Sequence, residues 1–197
     1  MAKKKKIPKP NKEYTLSSVK SIDAEKLILG LDPGSRNFGI SLVGIKNKRI
    51  IVYANSVMMN PVNNLINFID SSDLFLSELS NWLEFQPDGI IAERFQTRGN
   101  GGPLIEMVSS MLGLIRGSYP ETPIKLTVAS AWKNRFNRRF ETDLKLIYPD
   151  IEVQPHQLDA TLIGIYGLEC GLETILDYEP DDIIHQVEKT SLIGLRR

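Results

Sequence analysis

Two hydrophobic regimes alternate along the chain: short continuous apolar runs bounded by turn residues, and longer stretches with apolar residues near helical spacing. Leu27 to Leu31 is the first run, and it ends at Asp32 and the turn-forming Pro33-Gly34, as a buried strand does. Phe38 to Gly44 and Arg49 to Val57 are strand-like, and the polar centre of Ile45-Lys46-Asn47-Lys48 between them suits a hairpin turn. Asn64 to Phe85 carries Leu65, Ile66, Ile69, Leu76, Leu79 and Leu83 at helical spacing, with Asp70-Ser71-Ser72 placed to interrupt or cap the helix. Gly89 to Ala92 is a short strand ending at Glu93. The loop Gly99-Asn100-Gly101-Gly102-Pro103 then leads into an apolar, small-residue helix from Leu104 to Ser118, and Ile124 to Val128 reads as a further strand. Pro155 can open a helix whose apolar surface runs through Leu162, Ile163, Ile165, Tyr166 and Leu168. The order βββαβαβα predicts an α/β fold: a mixed five-stranded sheet that begins antiparallel, ends parallel and is flanked by helices.

With 197 residues, 42% of them hydrophobic, the chain has room for one domain of this kind with tails. The expected division is a basic tail over 1–26, a domain over 27–171 and an extension over 172–197, in which no element is placed. The lysine-rich start has no apolar run behind it and no stretch is long enough to span a bilayer, so a soluble protein that stays inside a cell is expected. A single cysteine, Cys170, and two histidines, His156 and His185, exclude a Cys/His zinc cluster, which leaves any metal to be held mainly by oxygen.

The formal net charge is zero, which argues against indiscriminate coating of nucleic acid, yet the charge is segregated. Residues 1–26 carry eight lysines against three acids, net +5; residues 125–145 carry six bases against two acids, net +4; residues 169–197 carry seven acids against three bases, net −4. Each run reads either as a solvated surface or, for the basic ones, as a DNA-contacting segment.

Asp32 and Glu93 stand at the ends of strands that this order puts in the middle of the sheet. Open α/β sheets build sites at the carboxyl ends of strands, although each acid alone could merely cap a turn or helix. His156 and Asp159 lie three apart in Gln154-Pro155-His156-Gln157-Leu158-Asp159-Ala160, hence on one face of the final helix, whose polar opening turn can meet the strand ends.

At these residues the sequence resembles the RuvC-type Holliday junction resolvases of the ribonuclease H-like (retroviral integrase-like) superfamily. Leu29-Gly30-Leu31-Asp32-Pro33-Gly34-Ser35-Arg36-Asn37-Phe38-Gly39 is similar to the family's first motif nearly residue for residue. Ile90-Ile91-Ala92-Glu93 resembles the second. Met111-Leu112-Gly113-Leu114-Ile115-Arg116-Gly117 resembles the helix that follows, Ala129-Ser130-Ala131-Trp132-Lys133 the next strand-to-helix segment, and His156, Asp159 and Ala160 the last motif. The resemblance runs from about Leu27 to Leu168 in the family's order; a lone Asp-x-Gly would be a weak sign, whereas motifs in sequence are a strong one. Phe95 stands near the place of a junction-engaging aromatic but out of register, and residues 133–155 are more basic and differently spaced. In these features the chain resembles the phage and other viral branches.

The resemblance implies a ribonuclease H-like domain acting as a Mg2+-dependent endodeoxyribonuclease on branched DNA, meaning four-way junctions and also forks and flaps, in the cytoplasm of a bacterium or a phage-infected host. Two Mg2+ ions, replaceable by Mn2+, about 4 Å apart would activate a water and stabilise the leaving 3′-oxygen. Asp32 is expected to bridge them, with Glu93 and Asp159 completing the shells and His156 ligating a metal or positioning the water. Arg36, Arg94, Phe95 and Arg98 are candidate DNA contacts, with ordinary surface charge as the competing reading of the arginines. Lys133, Arg135, Arg138 and Arg139, interleaved with Trp132, Phe136 and Phe140, read either as a phosphate-tracking surface with aromatic platforms or as an amphipathic helix with its aromatics in the core. A homodimer would match the two-fold symmetry of a junction, with Met107, Met111 and Leu114 as part of the contact or, alternatively, as core. Two other function classes stay open: a junction-binding module without activity, and an actin-like phosphate-binding ATPase, which needs a second such domain.

Overall fold

The computed structural model describes residues 22–47, 49–59, 64–95, 102–136, 155–171 and 184–187. The elements are β1 (Lys26–Asp32), β2 (Asn37–Lys46), β3 (Arg49–Met59), α1 (Leu65–Asp70), α2 (Ser72–Ser80), β4 (Gly89–Glu93), α3 (Gly102–Ser118), β5 (Ile124–Thr127), α4 (Ala129–Phe136), α5 (Pro155–Tyr166) and β6 (Ile184–Val187). Past Tyr166, α5 continues as a wider π-helical turn over Gly167–Gly171. The spatial order is β5-β4-β1-β2-β3-β6. β1, β2 and β3 pair antiparallel, while β4 joins β1 and β5 joins β4 in parallel. The five expected strands therefore lie in the expected directions, and β6, from the stretch the sequence left unplaced, adds a sixth beside β3 in parallel.

Local chemistry accounts for the breaks. Asn47, the residue after β2, adopts φ 50°, a left-handed conformation that asparagine tolerates and that turns the hairpin into β3. The Asn64 side chain accepts from the Asn67 N–H at 2.9 Å and caps α1, and the Ser71 hydroxyl donates to the Asn67 carbonyl at 2.6 Å where α1 gives way to α2. The Asp70-Ser71-Ser72 interruption is thus a real break between two short helices.

The period-two alternation of the strands divides the sheet into two faces. On one, Leu27, Leu29, Leu31, Phe38, Ile40, Leu42, Ile90 and Ala92 pack against Phe68, Phe75 and Leu79 of α1–α2 and Met107, Met111 and Ile115 of α3. Phe75 meets Phe38 and Phe68 edge to face, with centroids 5.5 and 5.9 Å apart. Met107 and Met111 are fully buried in this core, and Leu114 packs partly buried against it. Their helical spacing aims them at the sheet, so the two methionines do not form a dimer face.

The other face receives α5, and glycine makes the approach close. A Cβ on Gly30 would collide with the Ala160 carbonyl, and one on Gly39 with the His156 carbonyl, so the helix lies against bare backbone at the first motif. Beneath it the Thr161 hydroxyl lies 2.8 Å from the Gln157 carbonyl and 3.0 Å from Ser41 Oγ, and Ser41 donates to the Ala54 carbonyl at 3.2 Å. These buried hydroxyls are satisfied, and they hold the register of α5 over β2 and β3. No helix among the described residues is long and apolar enough to cross a membrane.

Candidate active site

Asp32 closes β1 and Glu93 closes β4. The two strands run parallel with Leu31 opposite Ala92, so the next residue of each emerges side by side, on strands spaced about 4.8 Å apart. Leu31 and Ala92 point into the α1–α3 core, and alternation therefore turns Asp32 and Glu93 to the α5 side. There the first turn of α5 brings His156, whose Nδ1 lies 2.6 Å from Asp32 Oδ2. The Asp32 side chain keeps 13% of its exposure. Burial raises its carboxyl from the ordinary 3.8 to about 6; the His156 hydrogen bond opposes the shift, and the negative charges of Asp159 and Glu93 add to it.

Asp159, one turn further along α5, is also raised by burial, with the Lys133 ammonium pulling the other way. Lys133 Nζ stands 3.6 Å from Asp159 Oδ2. Lys133 and its neighbour Trp132 come from α4, which follows β5 and packs beside α5. Trp132 is 2% exposed, and its indole N–H donates to Glu93 Oε2 at 2.8 Å. The Lys133 ammonium lies 4.8 Å from the centre of the same indole ring. Of the two readings of Trp132, a platform for DNA or an aromatic in the core, the structure bears out the second: a buried indole needs an acceptor for its N–H, and here Glu93 is that acceptor.

The four expected acidic and imidazole residues thus converge at one end of the sheet. Arg36 is exposed in the β1–β2 connection. Arg94 is exposed immediately after Glu93, held by its backbone N–H to the Thr127 carbonyl at 2.6 Å, and Phe95 behind it is half-buried. Arg98, Arg138, Arg139 and Phe140 lie outside the described residues, as do the side chains of Arg135 and Phe136. Sequence reasoning missed the Trp132–Glu93 bond and the Lys133–Asp159 pair. The adjacency of an aromatic and a lysine after a small-residue turn was their one visible sign.

The donor set suits a hard divalent cation: three carboxylates and an imidazole, with two of the carboxyls destabilised as anions by burial and one further by its neighbours' charge. Each acid also has a partner within the chain, namely His156, Trp132 or Lys133. Among the described residues no three His, Cys, Asp or Glu side chains stand close enough together to hold an ion. A cation shared by these acids would therefore take over part of what Lys133 and His156 now supply.

No protein-family model matches the sequence, and no curated protein matches it. Solved structures do. The chain is similar to Thermus thermophilus RuvC in complex with a Holliday junction substrate at 18% identity and TM-score 0.56, over 72% of this chain and 92% of that one. It is similar to the same organism's RuvC alone at 16% identity and TM-score 0.56, over 71% and 91% of the two chains. The yeast mitochondrial Holliday junction resolvase aligns at 17% identity over 90% of this chain and 82% of its own, with a TM-score of 0.43. With its three antiparallel strands, then parallel strands, and its flanking helices, the chain has the ribonuclease H-like fold of RuvC.

Proposed function

We propose that the chain is a divalent-metal-dependent endodeoxyribonuclease that cuts branched DNA, four-way junctions above all. The observation that carries this reading is the convergence of Asp32, Glu93, His156 and Asp159 at the carboxyl ends of two adjacent strands, with the Asp32 carboxyl pushed up to about 6. Buried, mutually repelling carboxylates are costly to the fold and are what a cation site requires. Asp32, Glu93 and Asp159 would hold two Mg2+ ions, or Mn2+ in their place, with His156 as a further ligand or as the group that orients Asp32. Bound there, the ions supply an activated water and stabilise the leaving 3′-oxygen of an in-line displacement.

The rest falls to the chain's own side chains. His156 fixes the rotamer of Asp32, Trp132 that of Glu93, and α5, seated on Gly30 and Gly39, fixes Asp159 relative to both. Arg36, exposed in the β1–β2 connection, and Arg94, exposed next to Glu93 in the chain, would hold the phosphates that flank the cut, and Lys133 would add a further positive charge. Paired incision of a two-fold symmetric junction calls for two such sites at once, so a homodimer belongs to the reading. Light scattering at micromolar concentration should give twice the chain mass.

A second reading is a junction-binding module that does not cut, and it is favoured by the internal partner that each acid has. Metal-dependent nicking of a synthetic four-way junction separates the two, since such a module binds the junction and leaves its strands whole.

A further inference from the structure

Trp132 sits between the two halves of the site. The edge of its indole donates to Glu93 Oε2 at 2.8 Å, while its face carries the Lys133 ammonium, 4.8 Å from the ring centre, and that ammonium is 3.6 Å from Asp159. The ring is 2% exposed, so it cannot swing away without opening the packing of α4. We propose that Trp132 is a positioning residue for a divalent cation: through its N–H it commits Glu93 Oε2 and the glutamate rotamer, leaving Oε1 for the ion, and through its face it sets where Lys133 meets Asp159.

Glu93 closes its strand, and a glutamate there has three side-chain torsions to fix before it can ligate. A buried N–H donor fixes them in advance, which is what partners behind metal-ligating residues generally do. Phenylalanine at this position would keep most of the ring volume and lose the donor. This inference rests on the nuclease reading above, because it takes the acids as cation ligands.

The test uses the full chain as wild type, Trp132→Phe, Glu93→Gln and the double variant, with Mn2+ affinity read by calorimetry and cleavage of a four-way junction read against Mn2+ concentration. Trp132→Phe should unfold cooperatively, bind Mn2+ roughly tenfold more weakly, and need roughly tenfold more Mn2+ to reach half of its own maximal cleavage rate. In the Glu93→Gln background the same change should cost no further Mn2+ affinity, because the effect passes through the Glu93 carboxylate. Wild-type Mn2+ affinity in Trp132→Phe overturns the proposal, as does an equal loss in both backgrounds, which would mark a packing defect. If Trp132→Phe does not fold, Trp132→Tyr takes its place, with the same expectations and the same overturning results. A wild-type chain that binds no Mn2+ overturns the nuclease reading itself, and this inference with it.

Discussion

His156 Nδ1 and Asp32 Oδ2 are 2.6 Å apart, although the two residues lie 124 positions apart in the chain. The contact joins the first motif to the last, and it exists because α5 rests on a strand surface that glycine leaves bare. It also only partly offsets the cost of burying Asp32, whose carboxyl remains raised to about 6.

That imbalance predicts a stability effect. A carboxyl raised in the folded state favours folding below its ordinary 3.8, and this contribution is lost as pH rises through about 6. Asp32→Asn removes the loss. In EDTA at pH 7 the variant should be more stable than wild type by up to about 3 kcal/mol, the equivalent of a shift of roughly two pH units. Urea unfolding from pH 4 to pH 7 checks it: the gap should open as pH rises, and a variant less stable than wild type at pH 7 would refute it.

Gly30→Ala should push α5 off the sheet, because the added methyl meets the backbone of Ala160 and Gly164 and neither is free to yield. A loss of about 3 kcal/mol or more is expected, together with loss of nicking, as His156 and Asp159 leave Asp32. Gly113→Ala on α3, where nothing lies within 4 Å, is the control. It should gain about 0.5–1 kcal/mol from the lower entropy of the unfolded chain. Urea unfolding of both variants reads the contrast.

Arg36→Ala with Arg94→Ala removes two exposed charges, one in the β1–β2 connection and one that follows Glu93 in the chain. Fold stability should change by less than about 0.5 kcal/mol. Junction affinity should fall, and the slope of log affinity against log salt should shrink by about two, one for each phosphate that the variant no longer neutralises. An unchanged slope in a filter-binding titration would assign both arginines to ordinary surface. The same titration on Arg138→Ala with Arg139→Ala tests the basic stretch between α4 and α5.

The sequence disclosed what local patterns can encode. Asp32 and Glu93 were legible because an apolar run that stops at an acid marks a strand end, and His156 with Asp159 because a spacing of three fixes a common helix face. The Lys133–Asp159 pair was not legible, since its members lie on different helices and no periodicity connects them. Trp132 was ambiguous for a physical reason: indole serves equally as a stacking surface and as a buried N–H donor, and only the position of Glu93 decides between them. β6 escaped because Ile184-His185-Gln186-Val187 is short and polar at its centre, and a strand added at a sheet edge needs no continuous apolar run.

Whether these acids hold metal for cutting junctions is decided by incubating purified wild type and Asp32→Asn with a labelled synthetic four-way junction, with Mg2+ or with EDTA. Wild type should introduce nicks at the branch in Mg2+ and none in EDTA. Asp32→Asn should bind the junction within about threefold of wild type, since the arginines proposed to contact phosphate are unchanged, and leave it uncut. Wild type that binds the junction without nicking it in Mg2+ or Mn2+, or Asp32→Asn that cuts at the wild-type rate, would contradict the account.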